Sequence, residues 1–245
     1  AIDVSSDGKW MAWGSEDGTV RILDMSNSPK PLEPFNVEDS VTNIRFAHGE
    51  MIVVGTHTSD VYGHERLGGR RWTHSVGGGC DLMDISNNGT LIACIDGGRH
   101  VHIMTENGVQ RGRFSSGELI GLTVANDGTG IAVNDDEGHV YVLDSSGNLR
   151  WKRTPVQDDG EMISSMCFLH DGSLLLCREV MGITPSGIAQ IALERWSSIG
   201  ELLHSEEIRS RSVCLVADGM GAISGHFDGT VVKLTEDLSQ KPLWK

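Results

Sequence analysis

Asn134-Asp135-Asp136-Glu137-Gly138-His139 brings three carboxylates and an imidazole into six consecutive residues. Clustered carboxylates are what a hard cation such as calcium takes up. The run lacks the Asp-x-Asp-x-Asp-Gly spacing and distal glutamate of a helix–loop–helix calcium site, and a short turn between strands accounts for its composition. His100 and His102 stand two apart, which on a strand puts both rings on one face. That spacing can hold a metal, but no third ligand accompanies it. The five cysteines, Cys80, Cys94, Cys167, Cys177 and Cys214, are widely spaced and include no Cys-x-x-Cys pair. They read as buried free thiols rather than as metal ligands or a disulfide framework. Unpaired thiols suit a reducing compartment, so a cytoplasmic location is the expectation. Serine is plentiful, yet no Gly-x-Ser-x-Gly elbow presents one as a nucleophile. No catalytic residue, metal ligand or cofactor is assigned from these patterns.

The charge balance narrows the partners. The 245 residues carry 34 acids against 20 bases, a net charge of −14. A nucleic-acid binder needs a basic surface to displace counterions from phosphate, and this chain has the opposite sign. No segment approaches the ~18 uninterrupted apolar residues of a membrane-spanning helix, and no basic-then-apolar leader is visible. The chain starts inside an apolar run at Ala1, as expected of a sequence trimmed at its N-terminus.

These residues must be positioned by a repeat. Gly8, Gly49, Gly89, Gly128, Gly172 and Gly219 each lie between two apolar runs, at a spacing of about 40 residues. A second series, Gly18, Ser59, Gly98, Gly138, Gly187 and Gly229, follows each by about ten residues. Repetition at this period marks units that cannot bury their faces alone. The expected fold is all-β, a propeller of six four-stranded antiparallel blades. The blades run 1–37, 38–78, 79–117, 118–160, 161–210 and 211–245 within a single domain, either a complete ring or part of a larger one. Strand A supplies pairs such as Ile44 and Phe46 or Met83 and Ile85. Strand B reads as a continuous small-apolar run, with Ala12, Ala93, Ala132 and Ala222 at matching places, as expected of strands covered on both faces.

Strand C opens on an acid–glycine turn in DGTVRILD (17–24), EGHVYVLD (137–144) and DGTVVKLT (228–235). In this turn and strand the chain resembles the WD-repeat family. The family's tryptophan position holds Leu23, Met104, Leu143 and Leu234, with only Trp196 retaining it, and the usual Gly-His opening is missing. VYVLDSSGNLRWKR (140–153) and GHERLGGRRWTHS (63–75) resemble the repeat of quinoprotein-like propellers, with Trp72 aligned to Trp151 and Trp244 as a third example. That resemblance implies outer-rim indoles capping adjacent blades, each N–H near a carbonyl.

In such a blade the B–C loops and D–A crossings emerge on one face. Sorted by this rule, the acids concentrate there: Glu16, Asp17, Glu38, Asp39, Asp60, Asp96, Glu118, Asp135, Asp136, Glu137, Asp158, Asp159, Glu161 and Asp228. The bases on it are chiefly Arg99, Arg178, Arg209 and Arg211. The fifth blade adds a long B–C connection, REVMGITPSGIAQ (178–190), which offers Arg178, Val180, Met181 and Ile183. The expectation is a non-catalytic scaffold for protein–protein contact, taking a basic protein or peptide on Asp17, Asp39, Asp60, Asp135, Asp136, Asp158, Asp159, Arg178 and Met181. The resemblance also admits a propeller enzyme with an axial metal or quinone, for which Asp96 and Asn134 lie near a channel mouth. A third alternative is an extracytoplasmic assembly factor of the quinoprotein-like kind. The adjacent cysteines of quinoprotein dehydrogenases are missing.

Overall fold

Between strands A and B of five repeats the chain reverses on a glycine with positive φ: Gly8 at 68°, Gly89 at 71°, Gly128 at 73°, Gly172 at 80° and Gly219 at 59°. Glycine takes this conformation without the steric cost a Cβ would add. The computed structural model describes residues 1–47, 51–58, 60–67, 69–155, 160–180 and 190–244. Gly49, Ser59 and Gly187 lie outside them.

The reversals produce six antiparallel sheets, each built in simple sequential order. The first comprises Ile2–Val4, Trp10–Gly14 and Thr19–Asp24, with Lys30–Pro31 and Phe35–Asn36 both pairing along its third strand. The others carry four strands each, A to D. The second has Val41–Phe46, Met51–Thr56, Asp60–Glu65 and Arg70–Ser75; the third has Cys80–Ile85, Leu91–Asp96, His100–Thr105 and Gln110–Ser115. The fourth has Leu119–Val124, Gly130–Asp135, Val140–Asp144 and Leu149–Arg153. The fifth has Glu161–Phe168, Leu174–Val180, Ile191–Trp196 and Leu202–Glu207; the sixth has Ser212–Asp218, Gly221–His226, Val231–Leu234 and Gln240–Trp244. Among the described residues no helix is long and apolar enough to cross a membrane.

The chain divides into two compact units. One holds residues 1–116 with the two turns at 127–129 and 145–148; the other holds 117–126, 130–144 and 149–245. In the first unit, Ala12, Val20 and Ile22 of the first sheet pack with Ile44, Ile52, Val54 and Tyr62 of the second. Val53 and Val61 of the second then join Met83, Ile92, Cys94 and Met104 of the third. In the second unit, Ala132, Val140 and Val142 meet Ile163, Leu174 and Leu176, and Leu175 and Leu193 meet Leu215, Ala222 and Val232. Strand B is buried from end to end in the second, third and fourth sheets. Each such Val, Ile or Leu contributes roughly 1.5–3 kcal/mol, so the unbroken apolar runs of strand B make it the spine of each sheet.

A polar latch joins consecutive strands A. Strand A carries a one-residue irregularity near its start in the second to sixth sheets, and in the second and fifth small polar residues there reach the next sheet. Thr42 Oγ1 and Asn43 Nδ2 donate to the Cys80 carbonyl at 2.6 and 2.8 Å. Ser164 and Ser165 hydroxyls donate to the Ser212 carbonyl at 2.8 and 3.0 Å.

The register corrects two sequence alignments. Ala12, Ala93 and Ala132 share a position, opposite Asp3, Asp84 and Thr123. Ala222 sits one residue away, because Ile223 faces Val216 at that level. Trp72 and Trp151 do match, opposite Gly63 and Val142, but Trp244 does not. It faces Val231, two residues along, at the level of His74 and Arg153. Trp244 comes four residues after Gln240 at the start of its strand D, whereas Trp72 and Trp151 come two residues after Arg70 and Leu149.

Candidate functional site

The B–C turns of the first, second, fourth and sixth sheets are tied by backbone hydrogen bonds to the crossing that precedes their own strand A or that leads into the next sheet. In the first unit, Val37 N–H donates to the Gly18 carbonyl at 2.9 Å and Val41 N–H to the Ser15 carbonyl at 3.1 Å. Gly18 is required there: a Cβ would stand 2.1 Å from the Val37 carbonyl oxygen. In the second unit, Asp136 N–H donates to the Glu118 carbonyl at 3.0 Å and Phe227 N–H to the Arg211 carbonyl at 3.0 Å. The loops and crossings that the sequence assigns to one face are therefore joined in both units.

The turn carboxylates are held by their own turns. Asp17 accepts from the Ser15 hydroxyl and from the Thr19 amide at 2.9 Å. These bonds, the hydroxyl first, bring its pKa down to about 2. Asp39 accepts from the Thr58 amide at 2.7 Å and hydroxyl at 2.5 Å, and from the Ser40 amide at 2.7 Å. The Thr58 hydroxyl is the main cause of its lowered pKa. Asp60 accepts from the Tyr62 hydroxyl at 3.3 Å. A carboxylate fixed by hydrogen bonds to its charged form stays ionised well into acid.

In the second unit Asp135 is buried. It accepts from the amides of Glu137 and His139, at 3.2 and 2.8 Å, and from the Tyr141 hydroxyl at 3.0 Å. Its other contact is the His139 ring, at 3.1 Å. Asp136 and Glu137 are exposed beside it. Asp135, Glu137 and His139 each offer a ligand atom within 4.8 Å of the others, a convergence that can hold a cation. Their i, i+2, i+4 spacing across the turn was visible in the sequence, but the turn geometry that makes them converge was not. Arg178 turns inward, buried, with Nε 2.7 Å from Glu194 Oε1. Asp158, Asp159 and Met181 lie outside the described residues.

Below the turns, a side chain near the end of strand B meets the strand-C side chain two residues beyond its cross-strand neighbour, and this pair recurs in three sheets. It is Asp96 with His102 in the third sheet, at 2.7 Å, and Asp135 with Tyr141 in the fourth, at 3.0 Å. In the fifth it is Arg178 with Glu194. Asp96 also contacts His100 Nδ1 at 2.8 Å and Arg113 Nη2 at 3.4 Å. The histidine pair is thus organised by one buried carboxylate. The strand-D residue of the preceding sheet completes the arrangement. His74 meets His102 edge-on with ring centroids 5.7 Å apart, and Arg153 reaches Glu194 at 3.1 Å and Glu161. Burial and the neighbouring His102 lower the pKa of His74. Sequence reasoning missed these inter-sheet pairs, of which His74–His102 and Arg153–Glu194 lie 28 and 41 positions apart.

The outer-rim indoles cap as expected. Trp72 Nε1 donates to the Glu106 carbonyl at 2.9 Å and Trp151 Nε1 to the Ser198 carbonyl at 3.1 Å, each in the next sheet's C–D turn.

No family model and no curated protein matches the chain. Solved structures do. Sqt1 of Saccharomyces cerevisiae superposes with a TM-score of 0.75 at 12% identity, over 98% of this chain and 71% of that one. BamB of Moraxella catarrhalis gives 0.65 at 18% identity, over 99% and 71%. A chain of the mitotic checkpoint complex gives 0.73 at 14% identity, over 98% and 77%. The first and third are WD-repeat propellers and BamB is a quinoprotein-like one. The fold is a β-propeller. Its six sheets are the blades, and at these identities the likeness establishes the fold alone. The propeller combines features of both kinds, an acid–glycine turn before strand C and indole caps on strand D, in agreement with the resemblance read from its repeats.

Proposed function

We propose that this propeller is a non-catalytic platform for protein contact, and that the B–C turns and D–A crossings of each unit receive a basic protein or peptide. The observation that carries the reading is the state of the turn carboxylates. Asp17, Asp136, Glu137 and Asp228 are exposed, and the turns hold Asp17 and Asp228 ionised by hydrogen bonds. A rigid array of fixed negative charge is complementary to a cationic surface and gives specificity and fast association. The propeller neighbour that is a chain of the mitotic checkpoint complex supports the platform reading. Asp135 and Arg178, being buried, act by shaping the turns; the contacting residues are Asp17, Asp39, Asp60 and Asp136.

The test is binding of an oligolysine peptide to the wild-type chain, to Asp17→Asn with Glu38→Gln, and to Asp136→Asn with Glu137→Gln. Each pair is expected to weaken binding by roughly tenfold, since each rim charge is worth about 0.5–1 kcal/mol in water. Affinity should also fall steeply between 50 and about 300 mM salt, as screening shortens to a few ångströms. Salt-insensitive binding, or none, would sink the reading.

A further inference from the structure

The strand-B/strand-C pair of the third, fourth and fifth blades is not made in the sixth. His226 takes the strand-B place of Asp96, Asp135 and Arg178 and bonds across the ladder to Thr230, but the strand-C place two residues further on, held by His102, Tyr141 and Glu194 in the other blades, is filled by Val232. His226 is 7% exposed, and its Nδ1 lies 2.8 Å from the Ser210 carbonyl oxygen. A carbonyl only accepts, so Nδ1 carries the proton and Nε2 presents a lone pair. That nitrogen is buried and has no hydrogen-bond partner. The inter-blade contact from strand D breaks at the same place. The position of His74 and Arg153 is filled in the fifth blade by Glu206, which is exposed and makes no such bridge to Val232. A cleft of about 350 Å³ opens in the gap, lined by His226 and Val232. Its wall is Pro242 and the indole of Trp244, which is 72% exposed, and Glu207, Asp228 and Arg209 stand at its rim. All of these belong to the second unit.

We propose that this cleft binds the guanidinium of an arginine side chain from a basic protein segment. An aliphatic partner for a buried imidazole leaves one acceptor unsatisfied, at a cost that a donor from a ligand removes. The lone pair calls for an N–H donor. Two rim carboxylates against one rim arginine favour a cation. A planar guanidinium stacks on an exposed indole, and its several donors can serve the imidazole and a carboxylate together. An anion would meet the lone pair and both carboxylates. The cleft lies where the 208–211 crossing meets the 226–230 turn, so the inference rests on the proposed function and names one anchor point within it.

The experiment titrates N-acetylarginine methylamide into the chain, followed by tryptophan fluorescence and by calorimetry, with the neutral N-acetylcitrulline methylamide as control. Saturable binding of the arginine compound is expected, at least about tenfold tighter than the citrulline compound. Trp244→Ala and His226→Phe should each reduce it by about tenfold or more. Trp244 is exposed, so its variant keeps the fold and remains informative if His226→Phe does not. No saturable binding, equal binding of citrulline, or binding unchanged in Trp244→Ala overturns the proposal. If oligolysine binds in a salt-dependent way while Trp244 has no influence on arginine, the cleft fails alone. If arginine binds through Trp244 while the Asp17 and Asp136 pairs have no effect on oligolysine, the face reading fails alone.

Discussion

Arg153 Nε stands 3.1 Å from Glu194 Oε2, although the two residues are 41 positions apart and belong to neighbouring blades. Both side chains are almost wholly buried, at 1% and 6% exposure, and Arg178 and Trp196 complete the shell around Glu194. Removing one partner of such a pair leaves the other charge in low dielectric. Arg153→Leu is therefore expected to cost about 3–5 kcal/mol, read as a lower urea midpoint with an unchanged slope. A loss under 1 kcal/mol would mean that the pair contributes nothing.

The Ser164 and Ser165 hydroxyls converge on one carbonyl, that of Ser212. Each neutral hydrogen bond contributes about 1 kcal/mol. Ser165→Ala is expected to destabilise by about that amount, and the double alanine variant by less than twice it, because the acceptor is shared. Strict additivity in a denaturation cycle would show that the two bonds act independently.

His64 stacks on Phe35 with ring centroids 4.3 Å apart, and burial takes its pKa from 6.5 down to about 4. Between these values the unfolded chain binds more protons than the folded one, so stability present above pH 6.5 is lost as pH falls toward 4. His64→Phe should flatten that part of the profile. Asp17 acts lower: its pKa falls from 3.8 to about 2, so its contribution is intact above 3.8 and lost on the way down to 2. Urea midpoints taken from pH 7 to about pH 2 for wild type, His64→Phe and Asp17→Asn check the two legs separately. A wild-type midpoint flat from pH 6.5 to 4 contradicts the first.

Gly200 packs on the face of Trp151, where an added Cβ would lie 2.9 Å from the ring, and its φ is +87°. Gly108 does the same beneath Trp72. Trp72→Ala should cost about 3 kcal/mol, the low end for a large aromatic because the ring is only half-buried. Trp244→Ala, at an exposed edge, should change stability by no more than about 0.5 kcal/mol. Thermal melts of the two variants compare them directly; equal losses would mean that Trp244 is also a cap.

The repeat and its chemistry were legible to different depths. The period-two and small-apolar patterns placed all six blades, because strand pairing inside a blade is local and its turns need glycine at set offsets. Trp72 and Trp151 were found for the same reason. Trp244 was misaligned because it lies two residues further into its strand D than Trp72 and Trp151 do, and residue type alone does not reveal that difference. Ala222 slipped because it comes three residues after Gly219, where the other three alanines come four after their turn glycines.

The amino-acid sequence by itself determined the blade: its turn glycines, its apolar strand B, its indole caps and the acids in its B–C turns. Each of these is a near-neighbour property written in residue type and spacing. Which of those acids are turned inward, as Asp135 is, and which face water, as Asp17 does, depends on the direction of each side chain in a twisted sheet. The pairing of Arg153 with Glu194 and of His74 with His102, and the lack of a partner for His226 Nε2, come from packing one blade on the next. Only the tertiary structure decided these, since contacts across blades have no local signature along the chain.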